Sequence, residues 1–145
     1  MSERSELHAV VAARLEAAGQ RYTSGRRAIV ERLRSAGQPL TIPDVVSEGT
    51  LPQSSAYRNL AVLEQAGAVH RIVTNAGFAR FELAEDLTEH HHHLVCSSCG
   101  QVEDFTASPS LERSLHKAVS EIEDGTGFNA LHHRLDLIGT CKACS

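Results

Sequence analysis

Two tight cysteine pairs, Cys96-Ser97-Ser98-Cys99-Gly100 and Cys141-Lys142-Ala143-Cys144, constrain this chain more than any other feature. Each pair places two sulfurs on one turn, and two such turns meeting give the tetrahedral thiolate shell that zinc accepts. The stretch between them is longer than a compact zinc ribbon needs. A helix and a strand must fit inside it, and the metal must join the ends of a domain. Four thiolates leave no open position, so this zinc is structural. Disulfides or an oxidisable pair are the competing reading, but in a chain without an export signal paired thiols more commonly hold metal.

No apolar signal-peptide core opens the chain, Met1 to Leu15 being scattered with charges, and no run approaches a membrane span. A cytoplasmic protein is expected. Its 145 residues allow one compact domain or two small ones with thin cores, which a metal staple or a second subunit would support. Charge divides the chain as the cysteines do. Met1 to Leu83 carries ten Arg against eight acids, and Ala84 to Ser145 four basic residues against ten acids, for −4 in all. A net acidic protein is a poor general polyanion binder, so a nucleic-acid role needs the front-half arginines on one face.

Leu7, Val10, Val11, Leu15 and Ala18 recur at helical spacing until Gly19. A second helix starts at Thr23 or Ser24, carries Ile29, Val30 and Leu33, and stops at Gly37. Thr41 with Asp44 reads as a capping box for a short third helix to about Ser47. After the loop Glu48 to Leu51, Pro52 suits the first position of a fourth helix that buries Ala56, Leu60 and Leu63 and ends at Gly67. The period then changes, and Val69 to Val73 and Phe78 to Leu83 flank Thr74-Asn75-Ala76-Gly77 as a hairpin. Behind it come strands at Leu94 to Cys96 and Val102 to Phe105, and a helix from Ser108-Pro109 bearing Leu111, Leu115, Val119 and Ile122. Leu135 to Ile138 forms a last strand. The expected class is α+β: an N-terminal winged helix-turn-helix domain (1–83), a hinge at about 83–89, and a small α/β dimerisation domain (90–145) with the structural four-cysteine zinc site.

His90, His91, His92 and His93 lie immediately before a strand and the first cysteine pair. Alternate side chains of extended backbone face opposite ways. His91 and His93 then point to one side and His90 and His92 to the other, so one stretch can seed two metal sites. Donors of the right type elsewhere are His70, Glu82, Glu112 and His133, and spacing does not choose among them. A solvated histidine-rich loop is the simpler alternative.

From about Ala18 to Cys144 the ordered motifs resemble the ferric uptake regulator family of bacterial metal sensors. The most specific part runs from His90 through Leu94-Val95-Cys96 to Gly100, with Gly139-Thr140-Cys141 and Cys144 downstream. Supporting matches are Ala18-Gly19-Gln20-Arg21-Tyr22-Thr23 with Arg26, Ala56-Tyr57-Arg58-Asn59-Leu60, and Gly77 through Phe81-Glu82-Leu83. The resemblance, nearest the zinc uptake regulator branch, implies a repressor controlling metal homeostasis. It would be a homodimer joined through the rear domain, and it would bind a palindromic double-stranded operator when metal-loaded. It places structural zinc on Cys96, Cys99, Cys141 and Cys144, and a regulatory divalent ion at the hinge on Glu82, His91 and His93. A third site falls on His90, His92, Glu112 and His133. The remaining regulatory ligand of iron-sensing members falls on Pro39 and that of zinc-sensing members on His70. Zinc is therefore the expected effector. Fe2+, Mn2+ or Ni2+, or a peroxide response through iron-catalysed histidine oxidation, are the alternatives. DNA contacts are implied at Arg21, Ser55, Tyr57 and Arg58. The chain departs from the pattern at Ala84, where zinc sensors often carry a cysteine, and at Ser55-Ala56, which replaces a customary Thr-Val. The stretch before the fourth helix is also shortened.

No small organic ligand and no enzymatic activity are expected. A zinc-dependent hydrolase would need an open metal position and a placed base, and no HExxH-type signature is present. A zinc storage protein is the other rival, separated from a regulator by DNA binding that tracks metal loading.

Overall fold

The computed structural model describes residues 2–47, 49, 51–74 and 77–145. Its first half is built from locally capped helices. α1 (Glu3–Ala17) starts on Ser2, whose side chain accepts the Ser5 N–H, and buries Leu7, His8, Val11 and Leu15. Val10, expected on the apolar face, lies outside it at 39% exposure. α2 (Ser24–Ala36) starts on Thr23 and ends on Gly37. Gly37 adopts φ 67°, a left-handed conformation that other residues reach only with strain. In α3 (Ile42–Val46) the Thr41 side chain accepts the Asp44 N–H and the Asp44 carboxylate accepts the Thr41 N–H, a complete capping box.

α4 (Gln53–Gln65) takes Pro52 as its cap rather than as its first helical residue, because Pro52 is extended at ψ 148°. Glu48 and Thr50 of the expected loop before it, and Asn75 and Ala76 of the expected hairpin turn, lie outside the described residues. β1 (Val69–Val73) and β2 (Ala79–Leu83) pair antiparallel, with His70 opposite Glu82 and Arg71 opposite Phe81. Leu40 adds a short third edge, exchanging backbone hydrogen bonds with Phe81 at 2.8 and 2.7 Å. Helices and hairpin enclose one core of Leu7, Val11, Leu15, Ile29, Val30, Leu33, Leu60, Leu63, Phe81 and Leu83. This is the winged helix-turn-helix arrangement.

A 3-10 turn, Glu85–Leu87, leads to a second sheet. Here β3 (His92–Cys96) lies between β4 (Val102–Phe105), antiparallel to it, and β5 (Asp136–Gly139), parallel to it. β3 begins two residues earlier than its apolar pattern suggests, because buried His92 and His93 pair with Phe105 and Asp104. β5 is displaced one residue toward the C-terminus from its expected span. α5 (Pro109–Thr126), capped by Ser108, buries none of its residues fully. Its Leu111 and Ile122, and Phe128, Leu131, Leu137 and Ile138 beyond, are exposed apolar side chains. No described helix is long and apolar enough to cross a membrane.

Polar struts tie the winged half to the segments that follow it. Arg80 Nε of β2 donates to the Gly100 carbonyl at 2.8 Å. Arg14 of α1 pairs with Asp86 in the 3-10 turn and donates to the Gly67 carbonyl at 2.7 Å.

Candidate metal centres

Parallel pairing sets Cys96 opposite Gly139, so both cysteine turns leave the sheet at the same end. All four sulfurs lie within 4.8 Å of one another. None is in a disulfide, and Cys99 Sγ and Cys141 Sγ are 3.8 Å apart. Cys96 Sγ accepts the Cys99 N–H at 3.5 Å and the Cys141 N–H at 3.3 Å. Those backbone donors bring its thiol down to about 6. Cys144 goes the other way: hydrogen bonding to Cys141, Cys96 and Cys99 pushes its thiol up to about 12. Four thiolates cannot share so small a volume without a cation, and this donor set fits zinc.

A second cluster joins the two sheets. Glu82 comes from β2, His91 from the residue before β3, His93 from β3 and Asp104 from β4, all with donor atoms within 4.8 Å. His93 Nε2 is 2.8 Å from Glu82 Oε1 and 3.5 Å from Asp104 Oδ1. His91 Nε2 is 3.1 Å from Glu82 Oε2. Both rings are turned by their other nitrogen: His91 Nδ1–H donates to the Glu89 carbonyl at 2.8 Å, and His93 Nδ1 meets Asp136 Oδ1 at 3.3 Å. That leaves Nε2 of each ring facing the centre, the orientation in which imidazole ligates. His93 Nε2 and Asp104 Oδ1 are buried with no oriented hydrogen-bond partner.

The electrostatics agree. Burial opposes charge on Glu82, but the close contacts and charges of His93 and His91 outweigh it and hold its carboxyl below the ordinary range. Burial and the charge of Glu82 raise Asp104. Burial opposes protonation of both histidines, yet the Glu89 carbonyl and Glu82 raise His91, and Glu82, Asp104 and Asp136 raise His93. Excess negative charge here calls for protons or a divalent cation. The donor set fits a metal.

On the opposite face of the same strand, His90, His92, Glu112 of α5 and His133 form a third group. His92 Nε2 lies 2.6 Å from Glu112 Oε1 and His133 Nε2 3.1 Å from Glu112 Oε2. Leu135 N–H donates to His92 Nδ1 at 3.2 Å, which keeps the ring proton on Nε2, shared with Glu112. A cation at Nε2 would replace that proton. Neighbouring His116, whose ring centroid is 5.6 Å from that of His133, had no place in the sequence reading.

His70, expected as a regulatory ligand, stays outside these groups. It faces Glu82 across the hairpin, with Nε2 buried and unpartnered among the described residues. Burial and then the charge of Arg134 lower its pKa. Pro39 is fully buried. Asp104 is the group member that sequence reasoning missed; the only available signal was a carboxylate on the strand next to the histidines, directly opposite His93. On the front half, Tyr57 is 61% exposed on α4, Arg58 and Arg21 are exposed, and Ser55 is half-buried. Arg26 fastens this surface, donating to Asn59 Oδ1 at 3.0 Å and to the Arg21 carbonyl at 2.7 Å.

Over residues 17–138 the sequence matches the profile of the Ferric uptake regulator family. The chain belongs to that family. Ferric uptake regulators are dimeric, metal-binding DNA-binding repressors and not enzymes. The peroxide operon regulator of Bacillus subtilis is 32% identical over 136 residues, covering 90% of this chain and 88% of that protein. The peroxide-responsive repressor PerR of Staphylococcus epidermidis is 30% identical over 138 residues, covering 91% and 86%. Among solved structures, the ferric uptake regulator of Pseudomonas aeruginosa with manganese has a TM-score of 0.69 at 30% identity, covering 98% of this chain and 99% of that one. The Helicobacter pylori ferric uptake regulator, described with three functional metal binding sites, has a TM-score of 0.75 and covers 97% and 93%; at 23% identity it speaks for the fold alone. Family membership thus stands, while the expected placement in the zinc branch gains nothing from these peroxide-regulator relatives.

Proposed function

We propose that this ferric uptake regulator is a cytoplasmic, homodimeric repressor whose regulatory cation is held by Glu82, His91, His93 and Asp104. Iron(II) or manganese(II) would be the working metal, and peroxide the signal in the iron form. The carrying observation is the convergence of His93 Nε2 and Asp104 Oδ1, both buried, on the same centre as Glu82 and His91. Two imidazoles and two carboxylates, with no thiolate, suit iron(II) and manganese(II) better than a zinc-selective site. Bound iron(II) would supply one-electron reduction of peroxide beside two imidazole rings.

The division into a winged domain to residue 83, a hinge at about 83–89 and a dimerisation domain from residue 90 belongs to this proposal. Glu82 lies on the wing side and the other three ligands beyond the hinge. Their joint demand favours one interdomain angle, and a cation that prefers it shifts the population. Moving from mostly open to mostly closed needs about 10⁴-fold preferential binding, about 5.5 kcal/mol. In the favoured dimer, α4 would present Ser55, Tyr57 and Arg58 to a major groove while Arg21 reaches the adjacent minor groove. Arginine suits both tasks, since its planar fork matches guanine edges and phosphate. The four cysteines would hold structural zinc throughout.

Labelled duplex from the region upstream of the coding sequence tests this, with iron(II), manganese(II), nickel(II) and zinc each buffered at known free concentration. Manganese(II) and iron(II) should support binding, Asp104→Ala should raise the concentration required at least tenfold, and peroxide should abolish binding of the iron form only. Equal binding by metal-stripped and loaded protein, with the cysteine zinc retained in both, would refute the proposal. The second reading, zinc held with His70, is favoured by the unpartnered His70 Nε2. It predicts that zinc acts at the lowest concentration and that His70→Ala, but not Asp104→Ala, removes the response.

A further inference from the structure

His90 spans two environments with its two ring nitrogens. Nε2 faces the rear cluster, 3.3 Å from His133 Nε2 and 3.3 Å from Glu112 Oε1. Nδ1 is ion-paired with Glu85 Oε1, outside that cluster. This Glu85 oxygen is buried, and His90 Nδ1 lies directly against it.

We propose that Glu85 is the outer partner of a metal site formed by His90, His92, Glu112 and His133, and that a cation bound there stiffens the connection between the two sheets through it. The chemistry follows from counting protons. A neutral imidazole carries one N–H. With a cation on His90 Nε2, that proton must reside on Nδ1, the nitrogen in contact with Glu85 Oε1. Loading the rear cluster therefore fixes the ring proton on the side that faces Glu85. A metal-bound imidazole is also a stronger donor than a free one, and carboxylate partners of this kind orient the ligand in return.

Glu85 is placed to pass that constraint on. It opens the 3-10 turn, and its carbonyl accepts the Thr88 N–H at 3.1 Å and the Thr88 hydroxyl at 3.2 Å. Ala84 N–H, one residue before, donates to the Ala68 carbonyl at 2.9 Å. Asp86, one residue after, is gripped by Arg14 of α1. The turn is thus tied to the winged half on one flank and to the rear cluster on the other. Beside it a cavity of about 790 Å³ is lined by Gly67 and His70 from the winged half and by Leu131 and Arg134 from the rear, leaving room for the two parts to change their angle.

The inference rests on the rear cluster taking a cation, and it goes beyond the regulatory site proposed above. Its test uses full-length protein with His91→Ala and His93→Ala, so that added zinc reports the rear cluster while the cysteine zinc is retained. Zinc affinity is read by competition with a chromophoric chelator, and hydrogen exchange is followed at the Leu87 and Thr88 amides. Zinc should slow exchange at both amides. Glu85→Ala should remove that slowing and weaken zinc binding by about 10–100-fold, and Glu85→Gln, which keeps an acceptor oxygen, should restore part of both. If Glu85→Ala leaves the slowing intact, whatever happens to affinity, the proposed role of Glu85 is wrong. If no further zinc is taken up at all, the rear cluster is not a metal site and the inference falls with that premise.

Discussion

His8 is buried at 4% exposure in α1, although the sequence there reads as an ordinary amphipathic helix. Its Nδ1 is 2.5 Å from the Tyr22 hydroxyl and its Nε2 pairs with Glu31 of α2. Glu31 also receives Arg4 at 2.8 Å and Arg34 at 3.1 Å. The His8 hydrogen bond, with those of Arg4 and Arg34, outweighs burial and lowers its carboxyl to about 2. Burial, partly offset by Arg27 and reinforced by Glu31, pushes Tyr22 up to about 12. The trio fixes the segment that carries Arg21 against the first two helices. A carboxylate with a depressed folded-state pKa contributes stability that is fully present above its ordinary 4.5 and is lost as pH falls toward 2. Glu31→Gln should therefore lower stability at neutral pH and flatten its loss between pH 4.5 and pH 2. Denaturant midpoints across that range check this; parallel curves for the two proteins would show that Glu31 does not titrate with folding.

Helix ends are where the chain speaks most plainly, because capping is settled within four residues. Thr41 and Asp44 satisfy each other's backbone donors at 3.3 Å. Thr41→Ala should cost about 1 kcal/mol in equilibrium unfolding, and a change near zero would mean that α3 is held by packing alone. The same locality made Thr23, Gly37 and Ser108 readable, and period-two alternation correctly separated His91 and His93 from His90 and His92. What alternation cannot supply is which strand lies alongside. Asp104 joined the front cluster only because β4 pairs with β3 in a register that sets it against His93. His70 is paired with Glu82 across its own hairpin in the same way, yet its ring nitrogens are not among the donor atoms that lie within 4.8 Å of one another. The placement of Glu82, His91 and His93 was legible from a resemblance over nearly the whole chain, not from spacing.

At the scale of the molecule, the rear sheet leaves an apolar surface open: Leu137 is 52% exposed and Ile138 70% on β5, with Phe128 at 66% and Leu131 at 87%. Exposed apolar side chains on this domain suit the interface of the proposed homodimer, and β5 is an edge strand with one side unpaired among the described residues. Ile138→Asp should convert the proposed dimer to monomer in sedimentation experiments while leaving helix content unchanged. A variant that remains dimeric would move the interface elsewhere. The same strand also bears on how a nascent copy matures. β5 runs parallel to β3, so no short turn can join them, and Cys141 lies 45 positions beyond Cys96. Drawing those ends together carries an entropic penalty before any ladder forms, and the strands involved are only four and five residues long. A metal on the four cysteines would offset that penalty at the point where both strands finish. Zinc supply during synthesis would then decide when a new polypeptide becomes able to pair with another.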